Sequence, residues 1–502
     1  MPTTTDSLSL TGPLDSAALR RAATPLTVTV DAPARARVER ARRFFHGLRH
    51  GDGTRPVYGA TTGFGALVGY AGRPDEADQC DNTLAHLGAG QGPDLPQEIC
   101  RAALLLRTRS LAQGLSGVSS DVIDRLAAMF ATTFSPAVPR YGSVGASGDL
   151  IPLAYATQAL RGRGHAYLDG RRMAADEALT AAGLRPLALD GRDALALVNG
   201  TSVTTAALAL ARDRVREAHR SLTALTCLLA DLLGCDPGFL DDDLLRAYGH
   251  PGAVYAGARM RRTLTGLSPS GSRPLQEPYS IRCSPQLLGA AEDALGYVDA
   301  VVAADLGGVS DNPLFFPGDD EREGKVVHGG NFFGQPAAFA ADLLASVTAQ
   351  LGNLAERQLD LLTDPARNGG LPPMLATEPG RQHGLQGVQL AATAFVAEIR
   401  RNATPAGMQS LPTNLHNQDV VPFGTQAALR SYDMADLLGL LTGSLALGLR
   451  QAVHVGARRP TAPRCAALLD ALSEAIPPVD PDRPLDRDVR AAARLVAAHE
   501  SP

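Results

Sequence analysis

The chain has 502 residues, 45% of them apolar and 20% charged, the balance of a globular protein with room for a large core. Its formal charge is slightly negative (47 − 52 = −5), and no basic patch marks it as a nucleic-acid binder. Lys325 is the only lysine and lies in a charged turn, which leaves pyridoxal phosphate without a plausible Schiff-base partner.

The six cysteines, Cys80, Cys100, Cys227, Cys235, Cys283 and Cys465, are scattered, and none forms a Cys-x-x-Cys pair. That usage suits reduced thiols in the cytoplasm rather than disulfides. The eleven histidines show no metal-ligand spacing, so no metal is expected. The first residues lack the basic and apolar regions of a secretory signal. No uninterrupted apolar run reaches the roughly 18 residues of a membrane span, so no membrane partner is expected.

In chain order, Leu26 to Val30 alternates like a short strand, and Arg35 to Arg49 carries apolar residues at helical spacing. Val57 to Gly65 is too rich in glycine for a regular element and reads as an ordered loop. Helical patterns follow over 76–90, 96–113 and 122–134. Gly164 to Met173 reads as a hairpin turning on Asp-Gly. A long alanine- and leucine-rich helix spans about 202–233, and 266–278 is loop. Another helix covers about 285–306. A strand pair, 313–316 with 325–328, flanks the charged turn. Long helices follow at about 336–363, 384–402 and 424–451, then a proline cluster and a short helix. The pattern predicts a mainly α protein. A long-helix bundle forms its core, and a smaller N-terminal part contains α and β elements. The expected division is residues 1–200 and 201–502.

One stretch stands apart. Residues 142–155 read Gly-Ser-Val-Gly-Ala-Ser-Gly-Asp-Leu-Ile-Pro-Leu-Ala-Tyr. Three glycines in seven residues permit bends that side chains forbid. Asp149 and the early Pro152 signal a helix start. If the loop pinches, the Gly148 nitrogen can reach the Ala146 carbonyl carbon and close a five-membered ring. Loss of water from the ring and from Ser147 then leaves an exocyclic methylidene, an electrophile made from the chain itself. Only glycine nitrogen is unhindered enough for the closure, and only Ser or Cys at the middle position can eliminate to the alkene.

This block resembles the signature of the aromatic amino acid ammonia-lyase and aminomutase family, which builds a methylidene-imidazolone (MIO) at Ala-Ser-Gly. The resemblance runs from about residue 55 to 450, with the family's landmarks in order. It implies an MIO formed from Ala146, Ser147 and Gly148, which captures the substrate amine. Tyr58, in Tyr-Gly-Ala-Thr-Thr-Gly-Phe-Gly, then corresponds to the base that takes the Cβ proton. For that role its pKa has to fall from near 10, through helix N-termini or positive partners. Asn199 in Leu-Val-Asn-Gly-Thr matches the asparagine facing the MIO. Gln276-Glu-Pro-Tyr-Ser-Ile-Arg282 resembles the segment in which Arg282 clamps the substrate carboxylate and Tyr279 lines the reacting centre; Gln276 belongs to the same subsite. Glu277 stands for the more usual aspartate, and Pro278 is a departure. Phe332 in Gly-Gly-Asn-Phe matches the aromatic beside the MIO.

Substrate choice is read at two places. Asn417-Gln418-Asp419 resembles the phenylalanine- and tyrosine-acting members, whereas histidine-acting members carry a glutamate where Gln418 stands. Pro422-Phe423 departs from the usual pattern. His86-Leu87 resembles the tyrosine-acting members, whose histidine bonds the phenol hydroxyl. The resemblance implies tyrosine to p-coumarate first and phenylalanine to cinnamate second. A 2,3-aminomutase is the alternative, and a histidine ammonia-lyase a more distant one. It also implies a homotetramer whose active sites combine residues of several chains.

Overall fold

The computed structural model describes residues 7–12, 14–50, 56–319 and 323–499. It is 58% helical, and long helices dominate. The longest are Ser202–Leu233, Ser284–Gly307, Gln335–Thr363 and Gly424–His454. The mainly α architecture expected from periodicity is therefore what the chain adopts.

The chain forms two compact units. Unit 1 holds Met1–Leu210, Ala300–Ala341 and Pro405–Leu429; unit 2 holds Ala211–Asp299, Asp342–Thr404 and Arg430–Pro502. A single cut near residue 200 thus misses two later returns of the chain to unit 1. Helical periodicity carries no mark of them, because four of the five junctions fall inside continuous helices.

Among the described residues, every strand pair lies in unit 1. Ser7–Ser9 pairs in parallel with Thr27–Thr29. The hairpin His165–Leu168 with Arg171–Ala174 turns on Asp169 and Gly170, whose φ of 50° and 75° are the two positive values a type I′ turn needs. Leu314–Phe316 pairs antiparallel with Lys325–Val327. Gln91–Asp94 pairs with Pro139–Tyr141, a ladder that its prolines hid from sequence reading, and it delivers the chain into the glycine stretch. A compact cluster of Phe45, Val57, Ala60 and Phe315 lies beneath the tyrosine loop. The Phe45 and Phe315 rings meet edge to face at 5.6 Å.

Unit 2 is a helical bundle with buried polar anchors. Asp231 accepts from the amides of Thr461 and Ala462 and so holds the start of helix Pro463–Ala475. Gln358 donates to the Ser280 carbonyl at 2.8 Å and seats the one-turn helix Tyr279–Arg282. The helices Asp242–Tyr248 and Pro251–Thr263 lay outside the sequence reading; a left-handed Gly249 (φ 82°) and Pro251 separate them.

One stretch, within Asp193–Leu233, is long and apolar enough by composition to cross a membrane. Its most apolar window is 94% buried inside the protein, as befits a core helix. The polar residues Asn199, Thr201 and Ser202 interrupt it, which is why no unbroken apolar run shows in the sequence.

Candidate active site

The glycine stretch is bent by backbone alone. Gly145 and Gly148 take φ of 72° and 66°, in the left-handed region where side chains are strained. Gly145 and Ala146 both bridge to Gly148, so the tripeptide folds back on itself. A Cβ on Gly148 would lie 2.3 Å from the Gly200 carbonyl oxygen, so no other residue fits there. Ala146 is buried, and Ser147 points its side chain into a cavity. A pinched loop, an unhindered glycine nitrogen and a serine facing open space are what an MIO requires, and the residues fit that group.

Asp149 organises this loop, though not as the sequence suggests. It stands at the start of helix Leu150–Leu160 but makes no side-chain cap there. Its carboxylate instead accepts from the amides of Val203 and Thr204, at the start of helix Ser202–Leu233. Hydroxyls of Ser143, Thr204 and Thr425 complete its shell. Burial pushes its pKa up, and these donors oppose the rise. The departure at Pro422-Phe423 belongs to the same construction. Phe423, at φ 51°, donates its amide to the Val144 carbonyl at 3.1 Å.

Ser147 opens onto a cavity of about 670 Å³. Tyr58, His86, Leu87, Asn199, Phe332 and Gln418 line the same space. Gln418 donates to Ser147 Oγ at 2.5 Å. Asn199 is buried and donates to the Asn312 carbonyl at 2.9 Å. Asn312 is fixed in turn by Arg192, which pairs through both nitrogens with buried Asp311. Asn417 is exposed and does not line the cavity.

Tyr58 accepts a hydrogen bond from the Gly65 amide at 2.8 Å, at the start of the 3₁₀ turn Gly65–Leu67. That donor favours the phenolate, but burial outweighs it and raises the pKa. Within one chain, then, the phenol is not lowered as the base role was expected to demand. Phe64 meets the Tyr58 ring edge to face (6.2 Å) and stacks on His86 (6.0 Å, 19° between planes). His86 Nδ1 lies 3.1 Å from the Asn82 carbonyl. A carbonyl only accepts, so Nδ1 carries a proton, and in the neutral tautomer Nε2 is left as an acceptor. Arg49 ties the two segments together. It donates to the Ala60 carbonyl and pairs with Glu76, at the start of helix Glu76–His86.

Sequence reasoning passed over Phe64, Asn82 and Asn414, which also line the cavity. Asn82 had a signal, since it lies one helical turn before His86. Asn414 had none, because neighbouring Asn417 drew the match.

Gln276, Tyr279 and Arg282 lie in unit 2 and do not line this cavity. Gln276 and Arg282 border a separate hollow of about 790 Å³. Tyr279 is 71% exposed, and the Arg282 guanidinium sits over its ring at 4.6 Å. Arg282 Nε donates to the Glu277 carbonyl at 2.9 Å. The Glu277 carboxylate is taken by Arg273, so it does not neutralise Arg282.

The chain is similar to known proteins over most of its length. The family profile for aromatic amino acid lyases matches residues 14–474. The tyrosine ammonia-lyase of Cereibacter sphaeroides is 40% identical over 466 residues, 88% of each chain. The histidine ammonia-lyase of Bradyrhizobium diazoefficiens is 36% identical over 453 residues, 89% of this chain and 86% of its own. Among solved structures, the tyrosine aminomutase of Streptomyces globisporus superposes with a TM-score of 0.90 at 31% identity, covering 98% and 97% of the two chains.

Proposed function

Since the chain belongs to the aromatic amino acid lyase family and is a carbon–nitrogen lyase, we propose that it deaminates L-tyrosine to p-coumarate and ammonia, with L-phenylalanine to cinnamate second. One observation carries the reading. The base candidate Tyr58, the alkene-forming Ser147 and the phenol-recognising His86 line one cavity.

An MIO built from Ala146, Ser147 and Gly148 supplies an electrophile for the substrate amine. The chain's own residues do the rest. His86 offers Nε2 to the phenol O–H, and Leu87 packs at the ring. Phenylalanine has no hydroxyl to offer that acceptor. Asn199 and Gln418 hold the polar end of the substrate beside Ser147, and Phe332 closes the apolar side. Gln418 carries no charge, so it offers no carboxylate to an imidazole. Tyr58 takes the β proton as phenolate while the amine leaves, and the Gly65 amide bonds to that oxygen.

The carboxylate clamp is Arg282, with Tyr279 and Gln276, supplied by another subunit of a homotetramer. The exposure of Tyr279, and of Leu275 at its full extent, supports burial of this segment in an assembly. The six cysteines form no disulfide with one another, which suits the cytoplasm.

Incubation with tyrosine, phenylalanine and histidine, with identification of every product, tests the proposal. p-Coumarate formed with equimolar ammonia is the expected result. A histidine preference would overturn the roles given to His86 and Gln418. The aminomutase likeness supports a second reading, in which ammonia returns at Cβ. A β-amino acid among the products would mark it.

A further inference from the structure

The loop that carries Tyr58 is held through its own backbone amides. Every backbone amide from Val57 to Thr61 has a partner. Ala60 and Thr61 donate to the Val57 carbonyl. Val57 donates to the Thr61 hydroxyl and Gly59 to the Thr62 hydroxyl. Tyr58 is the exception to this local closure. Its amide donates to Nε2 of His328, 3.3 Å away and 270 residues along the chain. We infer that His328 is a positioning residue, which fixes the catalytic tyrosine through a neutral imidazole that accepts the Tyr58 amide.

The chemistry admits one protonation state. Nε2 accepts only when unprotonated, with the remaining proton on Nδ1. An imidazolium would set N–H against N–H and break this exposed bond, releasing the Tyr58 amide from the fold to solvent. The surroundings favour the neutral form. Burial and the Arg192 guanidinium hold the His328 pKa below its ordinary value. Arg192 is itself paired with Asp311, and Tyr58 is the titratable group across the hydrogen bond. The connection reaches further. His328 precedes Gly329, whose amide donates to Asn312 Oδ1 at 2.8 Å, and the Asn312 carbonyl holds Asn199. Protonating one imidazole therefore loosens the anchor of the base, next to the strand end that also fixes Asn199 and leads to Phe332.

This inference rests on the reading of Tyr58 as the base, and the test separates the two. His328→Gln keeps an acceptor that does not titrate; His328→Phe keeps bulk without one. Intact mass, with its deficit of two waters, and oligomeric state confirm folding of both. Hydrogen exchange of the peptide covering 57–65 reads the anchor, and kcat against pH reads its consequence. We expect His328→Phe to exchange faster in this peptide and to lose roughly tenfold or more in kcat, with KM little changed. His328→Gln restores most of both, and its kcat falls less on acidification than that of the native enzyme. Unchanged exchange in His328→Phe overturns the inference, as does a His328→Gln enzyme as impaired as His328→Phe. Tyr58→Phe is assayed alongside: full activity in that variant removes the base reading, while exchange still decides the anchor.

Discussion

The proposed reaction draws on both the glycine stretch at 142–149 and the clamp segment at 273–282, and the two are built on opposite terms. The first is closed. Gly148 has no room for a Cβ, Ala146 is buried, and Asp149 meets five donors, all within unit 1. The second is open. Leu275 is fully exposed, Tyr279 is 71% exposed, and Arg282 spends one nitrogen on a carbonyl and its face on a ring. A region that must make its own electrophile needs every backbone torsion specified by neighbours inside the fold. A region that grips the substrate carboxylate needs a charge left unpaired until substrate arrives. The difference separates chemistry from capture, and substitutions should separate in the same way.

The largest effect belongs to the closed region. Ser147→Ala removes the only hydroxyl whose loss yields the alkene. We expect activity to fall by at least about a thousandfold, or roughly 4 kcal/mol in the barrier. Intact mass should show the full unmodified chain, with thermal stability close to native. A variant that keeps substantial activity would mean that the electrophile comes from elsewhere.

In the open region, Arg282→Lys keeps the charge but loses the two parallel bonds that guanidinium makes to carboxylate. We expect kcat/KM to fall roughly 10–100-fold, mostly through KM, with the mass deficit intact. If kcat falls instead and KM holds, the clamp orients the transition state and the separation between the regions breaks down.

His86 shares a cavity with Ser147 of the closed region and sharpens the comparison. His86→Phe removes the Nε2 acceptor and leaves the apolar wall. The ratio of kcat/KM for tyrosine over phenylalanine should then fall roughly 10–100-fold, mainly through loss with tyrosine. An unchanged ratio would place phenol recognition on another group, with Asn82 the nearest candidate in the same cavity.

Legibility in the sequence follows the same divide. The closed region was legible because its chemistry is consecutive: one tripeptide, one aspartate and three glycines stand within a dozen residues. Tyr58 was legible for the same reason, since its glycine-rich loop is one unbroken run, although Phe64 six residues on was passed over. What escaped was the set of long-range partners. Asp149 reads as the cap of its own helix, yet its hydroxyl partners Thr204 and Thr425 lie 55 and 276 residues on. No local pattern announces them. The returns of 300–341 and 405–429 to unit 1 were hidden likewise, since a helix crossing a unit boundary keeps its period. Gln276, Tyr279 and Arg282 were expected at the site from their motif, and they lie in unit 2, off the cavity that Ser147 lines.

The smallest effect concerns Tyr58, and it tests whether the two regions meet. Burial raises the phenol above its ordinary pKa, and the Gly65 amide recovers only part of the shift. The base must be the phenolate. At neutral pH the reactive fraction is then small, and it grows about tenfold for each pH unit until the phenol titrates. We expect kcat to climb with a slope near one from neutral pH into the alkaline range. We choose kcat over kcat/KM because it reports the bound complex and is not moved by the amine of free substrate. A plateau reached near neutral pH would mean that positive charge absent from unit 1 lowers the phenol. Arg282 of another subunit is the natural source, and Arg282→Gln should then shift the plateau upward, whereas a purely local phenol would keep its profile in that variant.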